Sequence, residues 1–173
     1  MATKSKAPKD AIALLTADHA TVRELLGELE KAAMKEGRNA ESLLEAIEAE
    51  LKVHTTIEEE IFYPAFREAA SKKDDTKLYY EAVEEHHVVD MVLPEMDEGE
   101  AGSPEFAAKA KVLKDLIEHH AGEEEKEMFP RARKLMDKDE LTALGEQLAR
   151  RKKELKAVDG ETAADDGEED ERD

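Results

Sequence analysis

Four long stretches of the chain carry apolar residues at alternating spacings of three and four, which is the pattern of helices with one buried face. These stretches end near Gly37, Ser71, Gly99 and Asp137, where glycine, serine or charged residues interrupt the pattern. Four amphipathic helices with short connections predict an all-α fold, an up-down four-helix bundle built from two helical hairpins. A short fifth helix over residues 137–157 is predicted to follow the bundle.

The two ends of the chain differ in character from the bundle, which is assigned to residues 10–136. Residues 1–9 are predicted to be a flexible N-terminus. From Ala157 to Asp173 the chain has nine acidic residues and one Arg, and it has almost nothing to bury. We therefore predict that residues 158–173 form a disordered acidic tail.

The composition excludes several classes of protein. A formal net charge of -19 argues against binding to nucleic acid or to an anionic membrane surface. The chain has no cysteine, which excludes disulfides and thiolate chemistry, and it has no apolar run long enough to span a bilayer. The N-terminal sequence also lacks the apolar core of a signal peptide. These observations predict a soluble, cytoplasmic protein without nucleic-acid or membrane partners.

Histidines interrupt the apolar stripes once in each predicted helix of the bundle: His19, His54, His86 and His120. Their distances from the connections indicate matching heights. His19 and His54 lie on opposite sides of Gly37 at nearly equal distances along the chain. His86 and His120 lie at equal distances on either side of Ser103. In antiparallel hairpins, all four imidazoles would therefore meet in one layer of the core.

Two glutamates belong to the same layer. Glu58 and Glu124 follow His54 and His120 by four residues, so each shares a helix face with its histidine. Burying four imidazoles and two carboxylates without partners would cost more than the roughly 5 to 15 kcal/mol by which a typical domain is stable. A metal resolves this difficulty, because imidazole and carboxylate together suit iron, manganese or zinc. Two bridging carboxylates with two imidazoles per ion favour a dinuclear centre.

The same spacing occurs twice along the chain. The separation between His19 and His54 is nearly the same as the separation between His86 and His120. The stretches HTTIEEEIFYP, from His54, and HAGEEEKEMFP, from His120, are near-repeats. Each hairpin thus contributes one lone His and one His-x3-Glu, and two copies facing each other would close one site.

Four motifs give the chain its family resemblance: DHATVRELL from Asp18, HTTIEEEIFYP, EHHVVDMVL from Glu85, and HHAGEEEKEMFP from His119. In these motifs and their order the chain resembles the hemerythrin-like family, also called HHE cation-binding domains, over roughly residues 10–136. The resemblance implies a four-helix bundle with two non-heme iron ions, bridged by an oxo or hydroxo group and by carboxylates of the second and fourth helices. The metal ligands that it implies are His19, His54, Glu58, His86, His120 and Glu124.

One position departs from the oxygen-carrying members of that family. They have a fifth histidine on the third helix, one turn from its partner, but the residues one turn either side of His86 are Ala82 and Asp90. The resemblance therefore implies a more open centre, with positions left for water, O2 or another small diatomic ligand such as NO, or for a group such as Asp90. Such a centre favours redox reaction or sensing over reversible O2 carriage.

Two further histidines lie beside the predicted ligands. We expect His87 and His119 to be exposed, or to contact a ligand, because they lie on turned faces of their helices. In the fourth helix, His120 is preferred to His119 as ligand because it precedes Pro130 by the same spacing as His54 precedes Pro64 in the second helix.

Two further glutamates directly follow the predicted ligand carboxylates. Glu59 and Glu125 are either surface charges or acceptors for an imidazole N–H. Glu125 also competes with Glu124 as a metal ligand, because some family members place the carboxylate five residues after the histidine.

Six apolar residues flank the predicted layer: Leu15, Val22, Leu26, Phe62, Val89 and Phe129. They either wall a dry pocket for a diatomic gas or belong to the ordinary core, which is the more common arrangement. Tyr79, two turns before His86, is either a core tyrosine or a residue on the face of the site. Pro64 and Pro130 each remove a backbone hydrogen bond, so kinks are expected just beyond the layer.

These interpretations give two classes of function. The first is a non-heme di-iron protein that reacts with O2 or a related small oxidant such as NO or peroxide, for sensing, storage or detoxification. A ferroxidase or peroxidase is an alternative within this class, although ferritin-like oxidases have Glu-x-x-His pairs in place of His-x3-Glu. The second class is a metal-free helical interaction module. It is disfavoured because all six histidines of the chain lie in or beside the motifs.

Overall fold

The computed structural model describes residues 10–35, 39–70 and 72–165, which are helical apart from short connections. The α-helices are α1 (Ala11–Ala32), α2 (Asn39–Ile57), α3 (Tyr63–Ala69), α4 (Lys73–Asp97), α5 (Pro104–Glu123), α6 (Phe129–Leu135) and α7 (Lys138–Asp165). Two π-helical segments, Glu58–Phe62 and Glu124–Met128, join α2 to α3 and α5 to α6. The predicted flexible N-terminus, residues 1–9, lies outside the described residues.

Side-chain caps determine where several helices begin. The carboxylate of Asp10 and the hydroxyl of Ser103 each accept a hydrogen bond from the backbone N–H three residues on, at 2.8 and 3.1 Å. Asp137 accepts from the backbone N–H groups of the second and third residues after it, at 2.8 and 2.9 Å. Each such cap typically contributes about 1 kcal/mol to stability. The caps of α5 and α7 lie at the connections that the sequence predicted near Gly99 and Asp137.

Four helical rods form the predicted bundle: α1, α2 with α3, α4, and α5 with α6, where a π-helical segment joins the two helices of each pair. α1 packs against α2 and α5, and α4 packs against the same two helices, so the four rods surround one core. The buried apolar residues fall into two clusters, one around Leu26 and Leu113 and the other around Leu15 and Phe62. In α1 the predicted ligand His19 lies between members of the two clusters. The all-α bundle of two hairpins is therefore confirmed, with a polar layer between two apolar parts of its core.

The fifth helix is longer than the sequence predicted. α7 runs to Asp165, past residue 157, where a short helix was expected to end. Its residues Leu141 and Leu148 are buried, and α7 packs chiefly against α1, α2 and the first π-helical segment. Alanine, arginine, lysine and glutamate, which have high helix propensity, follow Leu148 and continue the helix. The rest of the predicted disordered tail, residues 166–173, lies outside the described residues.

Charged residues cover the outer faces of the helices. Ion pairs connect neighbouring helical elements. Arg131 of α6 pairs with Asp75 of α4 at 2.6 Å, and Arg151 of α7 pairs with Glu60 of the first π-helical segment at 2.7 Å. Within the part of the chain that the structure describes, none of the helices has both the length and the apolar character needed to cross a bilayer.

Candidate metal centre

The structure brings all six predicted ligand residues into one buried layer. The histidines come from the four rods of the bundle, and the two glutamates are the first residues of the two π-helical segments. The side chains are between 0% and 4% exposed: His19, His54, Glu58, His86, His120 and Glu124. The layer predicted by counting residues therefore exists, and it is closed to solvent.

The first group of donors joins α1 and α2 to the second hairpin. It comprises His19, His54, Glu58 and Glu124, whose donor atoms lie within 4.8 Å of one another. His19 Nε2 is 3.1 Å from Glu124 Oε2, and His54 Nε2 is 3.3 Å from Glu58 Oε1. Metal bonds of about 2.1 Å at right angles place adjacent donors about 3 Å apart, so this spacing fits a first-row metal ion.

The second group of donors shares Glu58 with the first and adds His86 and His120. His86 Nε2 lies 3.4 Å from Glu58 Oε2 and 3.1 Å from His120 Nε2. Glu124 Oε2 lies 3.7 Å from His120 Nε2, so this glutamate also reaches both groups. Two groups that share carboxylates suit a pair of metal ions better than a single ion.

Unpaired buried atoms test whether the residues fit a metal. Among the described residues, four donor atoms of the first group have no hydrogen-bond partner: His19 Nε2, His54 Nε2, Glu58 Oε1 and Glu124 Oε2. Leaving one buried polar group unpaired costs about 1–3 kcal/mol. Four such atoms aimed at one another are not expected in a core unless a cation joins them. The donor set therefore fits a metal ion.

The π-helical segments change which residues face this layer. The backbone N–H of Tyr63 donates to the carbonyl of Glu58, and that of Phe129 donates to the carbonyl of Glu124, five residues back rather than four. The proline that follows in each repeat has no N–H to give, which removes the next α-helical bond. Where the sequence predicted proline kinks, the structure therefore has π-helical turns, which are frequent at functional sites.

Tyr63 belongs to the centre, and the sequence analysis missed it. Its hydroxyl donates to Glu124 Oε1 at 2.8 Å, and it lies 3.3 Å from His86 Nε2 and 3.4 Å from Glu58 Oε2. The ring is fully buried and stacks on His86 at a centroid distance of 5.5 Å. Each hairpin has an aromatic residue five positions after its glutamate, and this spacing is the signal that could have identified Tyr63.

Phe129 holds the corresponding position in the second hairpin. Its ring stacks on His19 at 5.7 Å, but it has no hydroxyl to offer. Tyr79, which the sequence left open between a core residue and one facing the site, packs its ring against Tyr63 at 6.1 Å. The Arg67 guanidinium lies 5.2 Å from the Tyr79 ring centroid. At the position five residues after the ligand glutamate, the two hairpins therefore differ by the buried hydroxyl of Tyr63.

A carboxylate lies behind each of the four imidazoles. Three of the Nδ1 contacts are hydrogen bonds: His19 with Glu125 at 2.9 Å, His86 with Glu59 at 2.7 Å, and His120 with Glu85 at 2.8 Å. Asp18 lies 3.6 Å from Nδ1 of His54, which is beyond hydrogen-bond distance. A carboxylate that accepts the Nδ1 proton leaves Nε2 free to bind a metal and fixes the orientation of the ring.

The repeat explains the pattern of these contacts. The residue before each lone His contacts the other His of its own hairpin, and the residue after each ligand Glu contacts the lone His of the opposite hairpin. Glu59 and Glu125 thus act as imidazole acceptors, and Glu125 is 28% exposed whereas Glu124 is buried. The sequence analysis did not assign Asp18 or Glu85, although each directly precedes a predicted ligand.

Burial and neighbouring charges determine the protonation of the layer. Burial lowers the pKa of His54 to about 4, so this imidazole is neutral and able to bind a metal. Burial and the charge of Glu124 raise the pKa of Glu58 well above its usual value. Burial also raises the pKa of Tyr63, with both glutamates adding to the effect, so the phenol keeps its proton.

A small cavity lies directly beside the imidazoles. Its volume is about 10 Å³, roughly the space of one water-sized sphere. Besides the four histidines and Thr55, its lining is apolar: Val22, Leu51, Val89, Ile117 and Ala121. Of the six apolar residues considered as pocket walls, only Val22 and Val89 contribute to this lining, and the other four lie in the core clusters.

The remaining residues near His86 and His120 lie on the surface or in the core. Ala82 is buried, whereas Asp90 is exposed, so the expectation that Asp90 could complete the centre is wrong. His87 and His119 are 65% and 62% exposed, as their turned faces predicted.

Comparison with known proteins agrees with this geometry. The family model of the hemerythrin HHE cation-binding domain matches residues 10–132. The chain is also similar to the crystal structure of a hemerythrin HHE cation-binding domain-containing protein from Mycobacterium kansasii. That match has a TM-score of 0.75 and 27% sequence identity, and it covers 87% of this chain and 89% of the other. A search of curated proteins found no significant match. The chain belongs to the hemerythrin HHE cation-binding domain family.

Proposed function

We propose that the chain is a non-heme di-iron protein whose buried centre reacts with O2 or a related small oxidant such as NO or peroxide, for sensing, storage or detoxification. The observation that carries the proposal is the pair of donor groups that share Glu58, with four buried donor atoms unpaired among the described residues. Two iron ions bound there would supply the redox chemistry for reaction with such oxidants.

The residues that would hold the iron are His19, His54, Glu58, His86, His120 and Glu124. Each hairpin supplies two imidazoles and one carboxylate, and each carboxylate lies between histidines of both hairpins. The carboxylates that accept the Nδ1 protons of His19, His86 and His120 keep the Nε2 atoms of these rings turned inward. The layer is thus organised by side chains from all four rods, which supports tight binding without large rearrangement.

Tyr63 supplies a proton donor inside the centre. Burial and the two glutamates hold its pKa well above the usual value, so the hydroxyl can donate to Glu124 or to a small oxidant bound beside it. The hydroxyl oxygen also lies among the donors around His86 and Glu58.

The cavity beside the imidazoles supports a small reactant. With about 10 Å³ of space, roughly that of one water-sized sphere, it admits only a very small molecule, and the apolar half of its lining offers no groups to hold water. Excluding water protects a reactive centre from side reactions.

Metal analysis, together with ultraviolet–visible spectra before and after exposure to O2, tests the proposal. After production in iron-replete medium, we expect about two irons per chain, and we expect the near-ultraviolet spectrum of the reduced protein to change on mixing with the oxidant. A fully helical chain that takes up no iron would contradict the metal centre. A loaded chain whose spectrum responds to neither O2, NO nor peroxide would contradict the proposed reactivity.

A further inference from the structure

A second His-x3-Glu pair lies on the surface, one residue before the buried pair of α5. His119 Nε2 lies 3.5 Å from Glu123 Oε1, and it lies 3.2 Å from Glu85 Oε1 on α4. The three donor atoms lie within 4.8 Å of one another. One imidazole and two carboxylates are suitable donors for Fe²⁺, Mn²⁺, Co²⁺ or Zn²⁺.

Glu85 connects this surface group to the buried layer. Its Oε1 faces His119, and its Oε2 lies 2.8 Å from Nδ1 of His120. Glu85 is 23% exposed, between the exposed His119 and the buried His120. One carboxylate therefore contacts both a solvent-accessible imidazole and an imidazole of the proposed iron centre.

The surface group opens onto a groove between α4 and α5 with a volume of about 710 Å³. Four carboxylates and two ammonium groups line it: Glu81, Glu84, Glu85, Glu123, Lys73 and Lys77. Because the carboxylates outnumber the ammonium groups, this lining has a net negative charge, which raises the local concentration of cations. A hydrated ion can reach His119 from this groove because that imidazole is 62% exposed.

The first hairpin places a cation at the equivalent position. The repeat matches Asp18 with Glu85, and each of these carboxylates lies behind an imidazole. Asp18 pairs with the ammonium group of Lys152 from α7, with Nζ 2.5 Å from Oδ1. The oxygen of Glu85 that does not contact His120, Oε1, faces His119 and the groove. By the internal symmetry of the bundle, a cation is the expected neighbour of that oxygen.

His119 and Glu123 are 62% and 38% exposed, so neither fills a position in the packed core. Their counterparts in the first hairpin are Val53, which is 2% exposed, and Ile57, which is fully buried. Ile57 lies in the same apolar cluster as Leu148 of α7. Where the first hairpin has apolar residues covered by its own chain, the second has an exposed imidazole and a partly exposed carboxylate.

We propose that Glu85, His119 and Glu123 form a surface site for a divalent transition cation, at which Fe²⁺ binds before it enters the buried centre. The surface site stands on its own geometry. The docking role rests on the proposed function, because it needs the buried centre to take up iron.

Titration of the iron-loaded full chain with Co²⁺ tests the surface site, with bound cobalt measured by equilibrium dialysis and metal analysis. We expect about one Co²⁺ per chain in addition to the buried metal, and binding at least about tenfold weaker in His119→Ala and in Glu123→Gln. His87→Ala is the matched control, since His87 is 65% exposed and pairs with Glu84 on its own helix. Unchanged binding in His119→Ala, or an equal loss in His87→Ala, would overturn the site.

The rate of Fe²⁺ uptake by the metal-free full chain tests the docking role. We expect uptake to be several-fold slower in His119→Ala and the final iron content to equal that of the wild type. An unchanged rate would overturn docking, and a matching fall in final iron content would place His119 among the buried ligands instead. If the wild-type chain takes up no iron, docking fails together with the proposed function, and the Co²⁺ titration, carried out on the metal-free full chain with the same variants, decides the surface site.

Discussion

The two hairpins are alike in the groups that they aim at each other and unlike in the residues around those groups. Each provides a lone His, a His-x3-Glu, and two carboxylates that lie behind imidazoles. Beside this common set, the first hairpin has Tyr63 where the second has Phe129. The first hairpin also covers Val53 and Ile57, whereas the second exposes His119.

This difference separates two kinds of constraint. The proposed dinuclear centre would need equivalent donors from both sides, which accounts for the close resemblance between the inner positions of the two hairpins. The neighbouring positions contribute to one side only, and each hairpin can use them differently. The first hairpin supplies the buried phenol and the contact with α7, and the second supplies surface donors and the groove.

Removing a donor that both groups share should have the largest effect. In Glu58→Ala, we expect the iron content to fall from about two per chain to well below one, because both donor groups lose a ligand. Glu124→Ala should behave alike if the hairpins are equivalent at the centre. Metal analysis measures the outcome. Glu60→Ala is the control, since Glu60 is exposed and pairs with Arg151. Full iron content in Glu58→Ala would remove the basis of the comparison.

Equivalent carboxylates behind the imidazoles should have equivalent, smaller effects. We expect Glu59→Ala and Glu125→Ala each to weaken iron binding by about 10- to 100-fold, because the ring of His86 or His19 loses the acceptor that orients it. Competition with a chelator measures the change. A large loss in one variant and none in the other would show that the two imidazoles are not equivalent.

The substitution Tyr63→Phe makes the two hairpins alike at this position. It should lower the stability of the chain and leave its iron content unchanged. In Tyr63→Phe, Glu124 loses the hydroxyl that donates to Oε1, and we expect the metal-free chain to lose about 1–3 kcal/mol of unfolding free energy. Denaturant unfolding measures this loss, and Tyr79→Phe serves as the control. A matching loss of iron would instead identify the phenol oxygen of Tyr63 as a metal ligand.

The smallest effect concerns a pair of equivalent surface positions. Lys114 forms an ion pair with Glu30 at 2.5 Å, and the repeat matches these residues with Glu48 and Asp97, which are both acidic. Burial, and then the charge of Asp97, raise the pKa of Glu48 to about 7. The usual value is 4.5, so the unfolded chain releases this proton first. The stability that the group contributes is present below about pH 4.5 and is lost as the pH rises through about 7.

Glu48→Lys gives α2 and α4 the ion pair that α1 and α5 already have. We expect a gain of about 0.5 kcal/mol at pH 8 and a smaller gain at pH 5, because Glu48 is partly exposed and solvent screens the pair. Thermal unfolding at the two pH values measures the difference. A gain of the same size at both would contradict the raised pKa of Glu48.

The sequence predicted those features that follow from α-helical spacing. His54 and Glu58 could be placed in one layer because histidines interrupt otherwise apolar stripes. Tyr63 could not, because the π-helical turn moves the inward-facing position from four residues after Glu58 to five. Asp90 was wrongly considered because spacing alone does not show that Ala82, four residues before His86, is buried whereas Asp90, four residues after it, is exposed.

The extent of α7 could not be predicted from local pattern either. Its sequence is strongly charged, and what fixes its first part is tertiary contact through Leu141 and Leu148. The family resemblance ended at about residue 136 and gave no information on this contact. The carboxylates behind the imidazoles follow from the repeat, but only once the opposing hairpins have been placed together.

The position of α7 makes the two sides of the repeated bundle unequal as routes between solvent and the buried layer. For an ion to reach the layer past Asp18, the Lys152 contact would have to break and the buried leucines of α7 would have to leave the core, which is a costly local opening. Within the described part of the chain, no helix covers the route past Glu85 in this way. The two hairpins supply equivalent ligands but are not equally accessible. Ions are therefore expected to pass between solvent and the centre on the Glu85 side.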